Sequence, residues 1–158
     1  MKKLNLGCRT ELRVGWVNSD KEPYPNTVFC DFDKKFPFKD NEFEEVLLKY
    51  SLEHAKNCLF TLKEVRRVCK NGAIVRIVVL HCSLVTAMAN LEHFQEFGWD
   101  TLNFLEKRNL FVVEDRDYTQ MVFPFTRWFA NIFPGMYEKF VSHLLPVRDI
   151  YYELRVIK

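Results

Sequence analysis

The sequence lacks a long apolar run, a strong charge of one sign and a recognisable export segment. Its 158 residues include 23 lysines and arginines against 21 aspartates and glutamates, which gives a net charge of only +2. No stretch approaches the roughly 20 apolar residues that a membrane span needs. The first residues, Met1-Lys2-Lys3-Leu4, enter a predicted strand at once and contain no apolar signal region. We therefore expect a cytoplasmic, intracellular protein, and the balanced charge argues against a dedicated nucleic-acid binder.

The cysteines lack the spacing of a metal site. There are five, none of them in a Cys-x-x-Cys pair: Cys8, Cys30, Cys58, Cys69 and Cys82. Zinc sites need clustered ligands at short spacing, so the sequence predicts no metal. We interpret the cysteines as reduced thiols of an intracellular protein. A disulfide stays open as the alternative for a hyperthermophile source.

Glycine is also scarce, with five in the chain, and Gly7 is the most informative of them. It follows the predicted strand 4–6 and opens the turn Gly7-Cys8-Arg9. A second predicted strand covers residues 14–19 and is followed directly by Asp20. A glycine lets the backbone approach a ligand, and a carboxylate one strand over can bind ribose hydroxyls. The pattern therefore predicts a nucleotide site at the end of a parallel sheet, with Arg9 standing where another glycine is expected.

The first half of the chain alternates apolar strands with short connections. Further strands are predicted at 27–30, 43–49 and 74–80, and a helix at 59–69 whose end would be capped by Gly72 in Lys70-Asn71-Gly72. This order is typical of an α/β protein with a parallel sheet. The first connections are too short for full helices. We therefore expect reduced helical cover on one face, and an exposed apolar face there would favour a partner subunit.

The second half is richer in aromatic residues. The pattern predicts a helix at 101–107, a strand at 111–113 and a final strand at 150–157. Between them, residues 124–145 carry apolar side chains at helical spacing, with a break at Pro134-Gly135. Core packing or a homodimer contact explains this stripe better than a membrane-surface helix, because it has few cations.

Several motifs then follow one another in order between residues 4 and 80. They are Leu4 to Cys8 with Gly15 to Asp20, Cys30 to Asp33, Phe36 to Phe43, Glu45 to Leu48, Ser51 to His54 and Leu62 to Gly72. Together they resemble the class I S-adenosylmethionine-dependent methyltransferases. The match is to a small prokaryotic or archaeal-type branch whose first motif reads Leu-Asn-Leu-Gly-Cys-Gly. The closing Glu153 to Val156 is also similar to the end of that branch.

The resemblance implies one Rossmann-like methyltransferase domain over residues 1–158. Residues 1–80 would be its cofactor-binding half, and residues 81–158 its substrate or dimer half. Its sheet would be mostly parallel and of the seven-stranded type, with an antiparallel C-terminal strand. The implied cofactor is S-adenosylmethionine, with S-adenosylhomocysteine as the product.

The resemblance also carries residue roles to this chain. It assigns cofactor binding to Asn5, Gly7, Cys8, Arg9, Asp20, Asp31, Phe32, Lys49 and Tyr50. The loop 7–9 would wrap the methionine and ribose part, and Asp20 would accept hydrogen bonds from both ribose hydroxyls. Asp31 and Phe32 would flank the adenine, while residues 49–51 would face the sulfonium. The alternatives are that Asp20 merely ends a strand and that Asp31 is a turn acid.

The chemistry and the acceptor are less defined by the sequence. A general base is needed only where the acceptor loses a proton, and the candidates are His54, His81 and His93. Near-neutral charge favours a small molecule or a saccharide as acceptor over a nucleic acid. Arg9 in place of the second motif glycine keeps a degenerate, non-catalytic binding or assembly module open as the alternative. A dinucleotide oxidoreductase fits less well, since no Gly-x-Gly-x-x-Gly loop is present.

Overall fold

The computed structural model describes residues 1–158, apart from the side chain of Pro124. Its strands are β1 (Lys3–Leu6), β2 (Val17–Asp20), β3 (Val28–Phe29), β4 (Phe43–Lys49), β5 (Cys69–Leu80), β6 (Phe111–Met121) and β7 (Val147–Val156). They form one sheet in the order β3-β2-β1-β4-β5-β7-β6. Strands β1 to β5 pair in parallel, and β7 lies antiparallel between β5 and β6. This confirms the predicted sheet with its antiparallel C-terminal strand.

The helices are few and mostly short. They are α1 (Cys58–Val68), α2 (Val85–Met88), α3 (Asn103–Lys107), α4 (Arg127–Ile132) and α5 (Pro134–Met136), with 3-10 turns at Leu52–His54 and Pro124–Thr126 and a π-helix at Tyr137–Val141. Helix α1 starts after Asn57, whose side-chain oxygen accepts the N–H of Phe60 at 3.0 Å. It buries Leu62 and Val65 in the core. No helix of the described chain is both long and apolar enough to cross a membrane.

The two faces of the sheet differ in chemistry. On one face the register partners Leu4, Val46, Val75 and Leu154 are fully buried in the core. On the other face Arg76 pairs with Glu153 at 3.0 Å and with Glu45. The prediction of reduced helical cover is confirmed, but the expected apolar character of the open face is wrong. Charged side chains alternate with core residues along the strands, and such a face can contact water.

The expected glycine cap of α1 is also wrong. The helix ends at Val68, and the next residue, Cys69, is already extended with φ −79° and ψ 151° and begins β5. Gly72 has φ +77° and lies between the register pairs Phe43–Cys69 and Glu45–Ile74. The left-handed glycine therefore serves a bulge in β5 and not a helix end.

The aromatic stripe is helical, and it breaks at the predicted point. Phe133 ends α4 with φ −124° and ψ 58°, and Pro134 is the first residue of α5. Core packing holds for Ala130 and Tyr137, which are fully buried. The prediction of core packing is wrong for most apolar residues of the stripe. Four of them are each more than 70% exposed: Phe125, Trp128, Phe140 and Leu144. The stripe is therefore largely an exposed apolar surface.

Candidate functional site

The loop after β1 brings the backbone against two other segments. Gly7 has φ +75°, a left-handed conformation that favours glycine. A Cβ on Gly7 would lie 2.4 Å from Cβ of Ser51 and 2.8 Å from Cζ of Phe32. Both distances are far inside van der Waals contact, so only glycine fits.

Asp20 ends β2 beside this loop and is 4% exposed. Its Oδ2 accepts the backbone N–H of Arg9 at 2.7 Å, and its Oδ1 accepts the N–H of Glu22 at 3.0 Å. Each carboxylate oxygen keeps a further lone pair, so the fixed carboxylate can still accept hydrogen bonds from a ligand. This geometry suits a pair of hydroxyls.

Arg9 takes part in this arrangement through its backbone. Its φ is +45°, the left-handed conformation that a motif glycine would adopt without strain. Its side chain is exposed and forms no ion pair within the described chain. The guanidinium is therefore not neutralised by Asp20 and stays available at the rim of the site.

A cavity of about 830 Å³ opens at the carboxyl ends of β1, β2 and β4. Seven residues predicted from the sequence line it: Gly7, Arg9, Asp20, Asp31, Phe32, Tyr50 and His54. Burial acts to raise the pKa of Asp31. The N–H of Asp33 and the ammonium of Lys34 outweigh that effect and lower it, so the carboxylate is ionised at neutral pH. The volume suits a nucleoside-sized ligand.

A second cavity of about 270 Å³ lies on the open face of the sheet. Asn5, Cys8 and Lys49, all predicted to bind the cofactor, line this cavity and not the larger one. Lys49 donates to Glu11 at 2.8 Å across it. The loop 7–9 and Tyr50 separate the two cavities, so the nine predicted residues divide between both sides of the loop.

The three candidate histidines have different surroundings. His54 lines the larger cavity, and its pKa is lowered by burial and by the charges of His93 and Arg9. His93 lies 4.7 Å from His54, ring to ring, and its Nδ1 is 2.8 Å from the carbonyl oxygen of Ala87. His81 lines neither cavity.

His81 is instead fully buried in a hydrogen-bonded cluster. Its Nε2 is 2.7 Å from Oε1 of Glu138, and its Nδ1 is 2.8 Å from Oγ of Ser83. The same Glu138 oxygen accepts the hydroxyl of Tyr118 at 2.8 Å. His81, Cys82 and Glu138 present ligand atoms within 4.8 Å of one another, a grouping that the sequence did not suggest. The hydrogen bonds that His81 makes to Glu138 and Ser83 account for its burial.

Known proteins share this architecture. Residues 9–77 match the family model described as a methyltransferase domain. A SAM dependent methyltransferase from Archaeoglobus fulgidus superposes with a TM-score of 0.73 at 15% identity, covering 98% of this chain and 85% of that one. An S-adenosylmethionine dependent methyltransferase from Mesorhizobium loti gives 0.64 at 14% identity, covering 98% and 90%. Residues 9–77 thus match a methyltransferase-domain model, and the whole chain has the fold of these S-adenosylmethionine-dependent methyltransferases.

A further structure adds a bound cofactor in a relative of this fold. Phosphoethanolamine N-methyltransferase 2 of Haemonchus contortus, in complex with S-adenosyl-L-methionine, superposes with a TM-score of 0.65 at 12% identity. It covers the whole of this chain and 49% of that one. Among curated proteins no sequence matches the chain. At these identities the likeness establishes the methyltransferase fold.

The methyltransferase fold also brings together residues whose contacts with one another the sequence did not predict. Tyr50 has φ +51°, unusual for an aromatic residue, and it is fixed at both ends. Its N–H donates to Val78 at 2.8 Å, and its hydroxyl donates to Asp149 at 2.7 Å. Glu53 stood within the motif 51–54 without a function. The position of Glu53 in the turn after β4, at the carboxyl edge of the sheet, is a signal from which a functional role could have been predicted. The sequence carries no such signal for Asp149.

Proposed function

We propose that this protein binds S-adenosylmethionine in the larger cavity and transfers its methyl group to a small-molecule or saccharide acceptor. The observation that carries the proposal is the position of Gly7 and Asp20. Gly7 permits a ligand to approach the backbone closely, and Asp20 offers a fixed carboxylate at the end of the adjacent strand. Ligands of open α/β sheets bind at this edge. In this proposal residues 1–80 bind the cofactor, and residues 81–158 supply the acceptor and subunit surfaces.

The residues of the cavity fit the parts of the cofactor. Asp20 would accept both ribose hydroxyls, while Asp31 and Phe32 would offer an acceptor and an apolar ring to the adenine. The exposed guanidinium of Arg9 would pair with the carboxylate of the methionine part. The cofactor supplies an already activated methyl group, so the chain has to align the acceptor and exclude water. Alignment alone is worth roughly 7–11 kcal/mol.

His54 is the general base that this geometry favours, for an acceptor that must lose a proton. It lines the cavity, and its lowered pKa keeps the imidazole neutral and able to accept a proton at pH 7. His81 and His93 remain sequence predictions, since neither lines the cavity. The experiment that tests the function is a calorimetric titration with S-adenosylmethionine and S-adenosylhomocysteine. Absence of binding by both at millimolar concentration would refute it.

Arg9 separates an active methyltransferase from a degenerate binding module. We expect Arg9→Gly to raise the free energy of unfolding by about 1 kcal/mol, because glycine relieves the left-handed strain. The same change should weaken S-adenosylhomocysteine binding about tenfold, since the carboxylate loses its partner. Binding of 5′-methylthioadenosine, which has no such carboxylate, should hardly change. Calorimetry with both ligands measures the difference.

The opposite result would favour the alternative function. If Arg9→Gly tightens the binding of both ligands, the arginine obstructs the pocket. The natural protein would then be a non-catalytic member of the fold. The variant Arg13→Gly serves as the control, because Arg13 is also exposed near the loop but lies outside the larger cavity.

We also propose a homodimer, formed through the exposed stripe. Phe125, Trp128 and Phe140 are each at least 71% exposed, which amounts to roughly 300–500 Å² of aromatic surface. This exposed area alone equals that of the largest apolar patch on a typical monomer. Leu144, Ile132 and Phe133 extend it toward the roughly 800 Å² per partner of a standard interface.

Charge substitutions on the stripe should dissociate this dimer. We expect Trp128→Lys with Phe140→Glu to give a monomer in sedimentation at tens of micromolar, since buried charges oppose association. The matched pair Val14→Lys with Val85→Glu changes two exposed apolar residues elsewhere and should leave the dimer intact. A monomeric natural protein at that concentration would contradict the proposal.

The state of the five free cysteines supports a proposal for the cellular location of the protein. Cys8, Cys30 and Cys69 are buried, and Cys58 and Cys82 are half-buried. Burial raises the pKa of the Cys58 thiol to about 12, so this thiol is unreactive. Free, protonated thiols suit the reducing cytoplasm that we propose as the location.

A further inference from the structure

Glu53 is a buried carboxylate without a hydrogen-bond partner. It is 2% exposed, and neither Oε1 nor Oε2 has a partner within the described chain. It belongs to the turn that follows β4, and its neighbours Ser51 and His54 line the larger cavity. Buried carboxylates are normally paired or hydrogen-bonded, so one with two unpartnered oxygens indicates a missing partner.

Asp149, on β7, also has a buried carboxylate oxygen without a hydrogen-bond partner. It is 1% exposed, its Oδ2 accepts the hydroxyl of Tyr50 at 2.7 Å, and its Oδ1 has no hydrogen bond. Of the four buried side-chain atoms without a partner in the described chain, three therefore belong to Glu53 and Asp149. Asp149 thus contacts the hydroxyl of Tyr50, and Glu53 belongs to the turn that starts two residues after Tyr50.

The cations of the described chain compensate these two acids only in part. Nε of Arg148 is 3.7 Å from Oδ1 of Asp149, beyond hydrogen-bond distance, and its side chain is 57% exposed. Arg9 and His93 act on Glu53 only through their charge, without a hydrogen bond. Burial is the main influence on Glu53 and raises its pKa, as it does for Asp149. These influences leave oxygens of both acids without a hydrogen bond in the described chain, and a cationic ligand would complete their compensation.

We propose, on the basis of the function inferred above, that Glu53 and Asp149 recognise a cationic nitrogen of the methyl acceptor. Tyr50 links them, since it lines the larger cavity and hydrogen-bonds to Asp149. Two carboxylates beside an aromatic ring are the groups that bind ammonium and guanidinium ions. Tyr50 also belongs to the segment 49–51, which would face the sulfonium. The acceptor class is therefore an amine or a guanidine.

An acceptor has to displace part of the chain to reach Glu53. Its oxygens are closed from solvent, and the segment Glu92–Phe94 lies against it. The N–H of Phe94 donates to the carbonyl of Glu53 at 2.8 Å, and His54 Nδ1 is 3.1 Å from the carbonyl oxygen of Glu92. The rest of the segment is irregular, and Leu91 is 96% exposed. Few bonds therefore hold this cover in place.

Binding of small probes tests the acceptor class directly. The natural protein is first titrated with S-adenosylhomocysteine, and then n-butylamine, n-butylguanidine or n-butanol is added to the saturated complex. Amide shifts in nuclear magnetic resonance spectra report where each probe binds. We expect both cationic probes to bind at least about tenfold more tightly than n-butanol and to shift the amides of residues 50–54.

Variants connect this preference to the two acids. Glu53→Gln and Asp149→Asn should each abolish it, while the control Glu96→Gln, an exposed acid near the same segment, should keep it. Equal binding of all three probes, or a preference that survives both variants, would overturn the proposal. So would binding of Mg²⁺ with the same dependence on the acids and no preference for ammonium. Failure of S-adenosylhomocysteine to bind would instead refute the proposed function.

Discussion

Replacing Gly7 with alanine is expected to abolish cofactor binding and to lower the free energy of unfolding by about 3–4 kcal/mol. The added methyl would lie 2.4 Å from Cβ of Ser51 and 2.8 Å from Phe32, so the loop or β4 has to shift. Overpacking of this kind costs about 1–3 kcal/mol, and the left-handed φ adds about 1–2 kcal/mol. Chemical denaturation and calorimetry with S-adenosylhomocysteine measure the two effects.

Two other glycines separate the clash from the backbone strain. Gly15 and Gly72 have φ of +78° and +77°, close to that of Gly7, but their added Cβ would meet nothing within 4 Å. Alanine at either site should therefore cost only about 1–2 kcal/mol. Both variants should still bind S-adenosylhomocysteine. If Gly7→Ala is no worse than Gly15→Ala, the close approach at Gly7 does not exist in solution.

Asp20→Asn is expected to weaken S-adenosylhomocysteine binding by about 10- to 100-fold. Each hydrogen bond to the carboxylate is worth about 1.5–3 kcal/mol because the acceptor is charged, and the amide keeps only one oxygen. That oxygen can still accept the N–H of either Arg9 or Glu22, so part of the loop geometry is retained. Calorimetric dissociation constants for the natural protein and the variant give the measurement.

Glu22→Gln is the matched control for Asp20. Glu22 lines the same cavity, but its side chain is exposed and only its backbone N–H contacts Asp20. We expect this variant to bind within about twofold of the natural protein, as for other exposed charges. Equal losses in both variants would mean that general charge in the cavity, and not the fixed position of Asp20, determines affinity.

Most of the sheet could be predicted because its strands carry strong local patterns. In β5, Val75, Ile77 and Val79 are buried, and Arg76 between them points to the open face. This alternation is a local property of the strand. The sequence therefore identified β1 to β5 in order, and β4 to the residue.

The elements that depend on distant pairing were predicted less well. β6 was expected at 111–113 but runs from Phe111 to Met121, because β7 pairs with it over most of its length. Gly72 carries the signal of a helix cap, yet the pairing of Phe43 with Cys69 starts β5 before it. A strand partner many residues away overrides the local turn preference.

For the proposed site, the sequence by itself placed Gly7 and Asp20 at one edge of the sheet, since Gly7 directly follows β1, Asp20 ends β2, and parallel strands bring their ends to one edge. Only the tertiary structure decided that Asn5, Cys8 and Lys49 lie on the other side of the loop. It also decided that Asp149 reaches Tyr50, 99 positions away, and that neither carboxylate oxygen of the buried Glu53 has a hydrogen-bond partner within the described chain. Periodicity records which face of an element is apolar. It does not record which distant side chains that face encounters, or whether a buried charge is left unpaired.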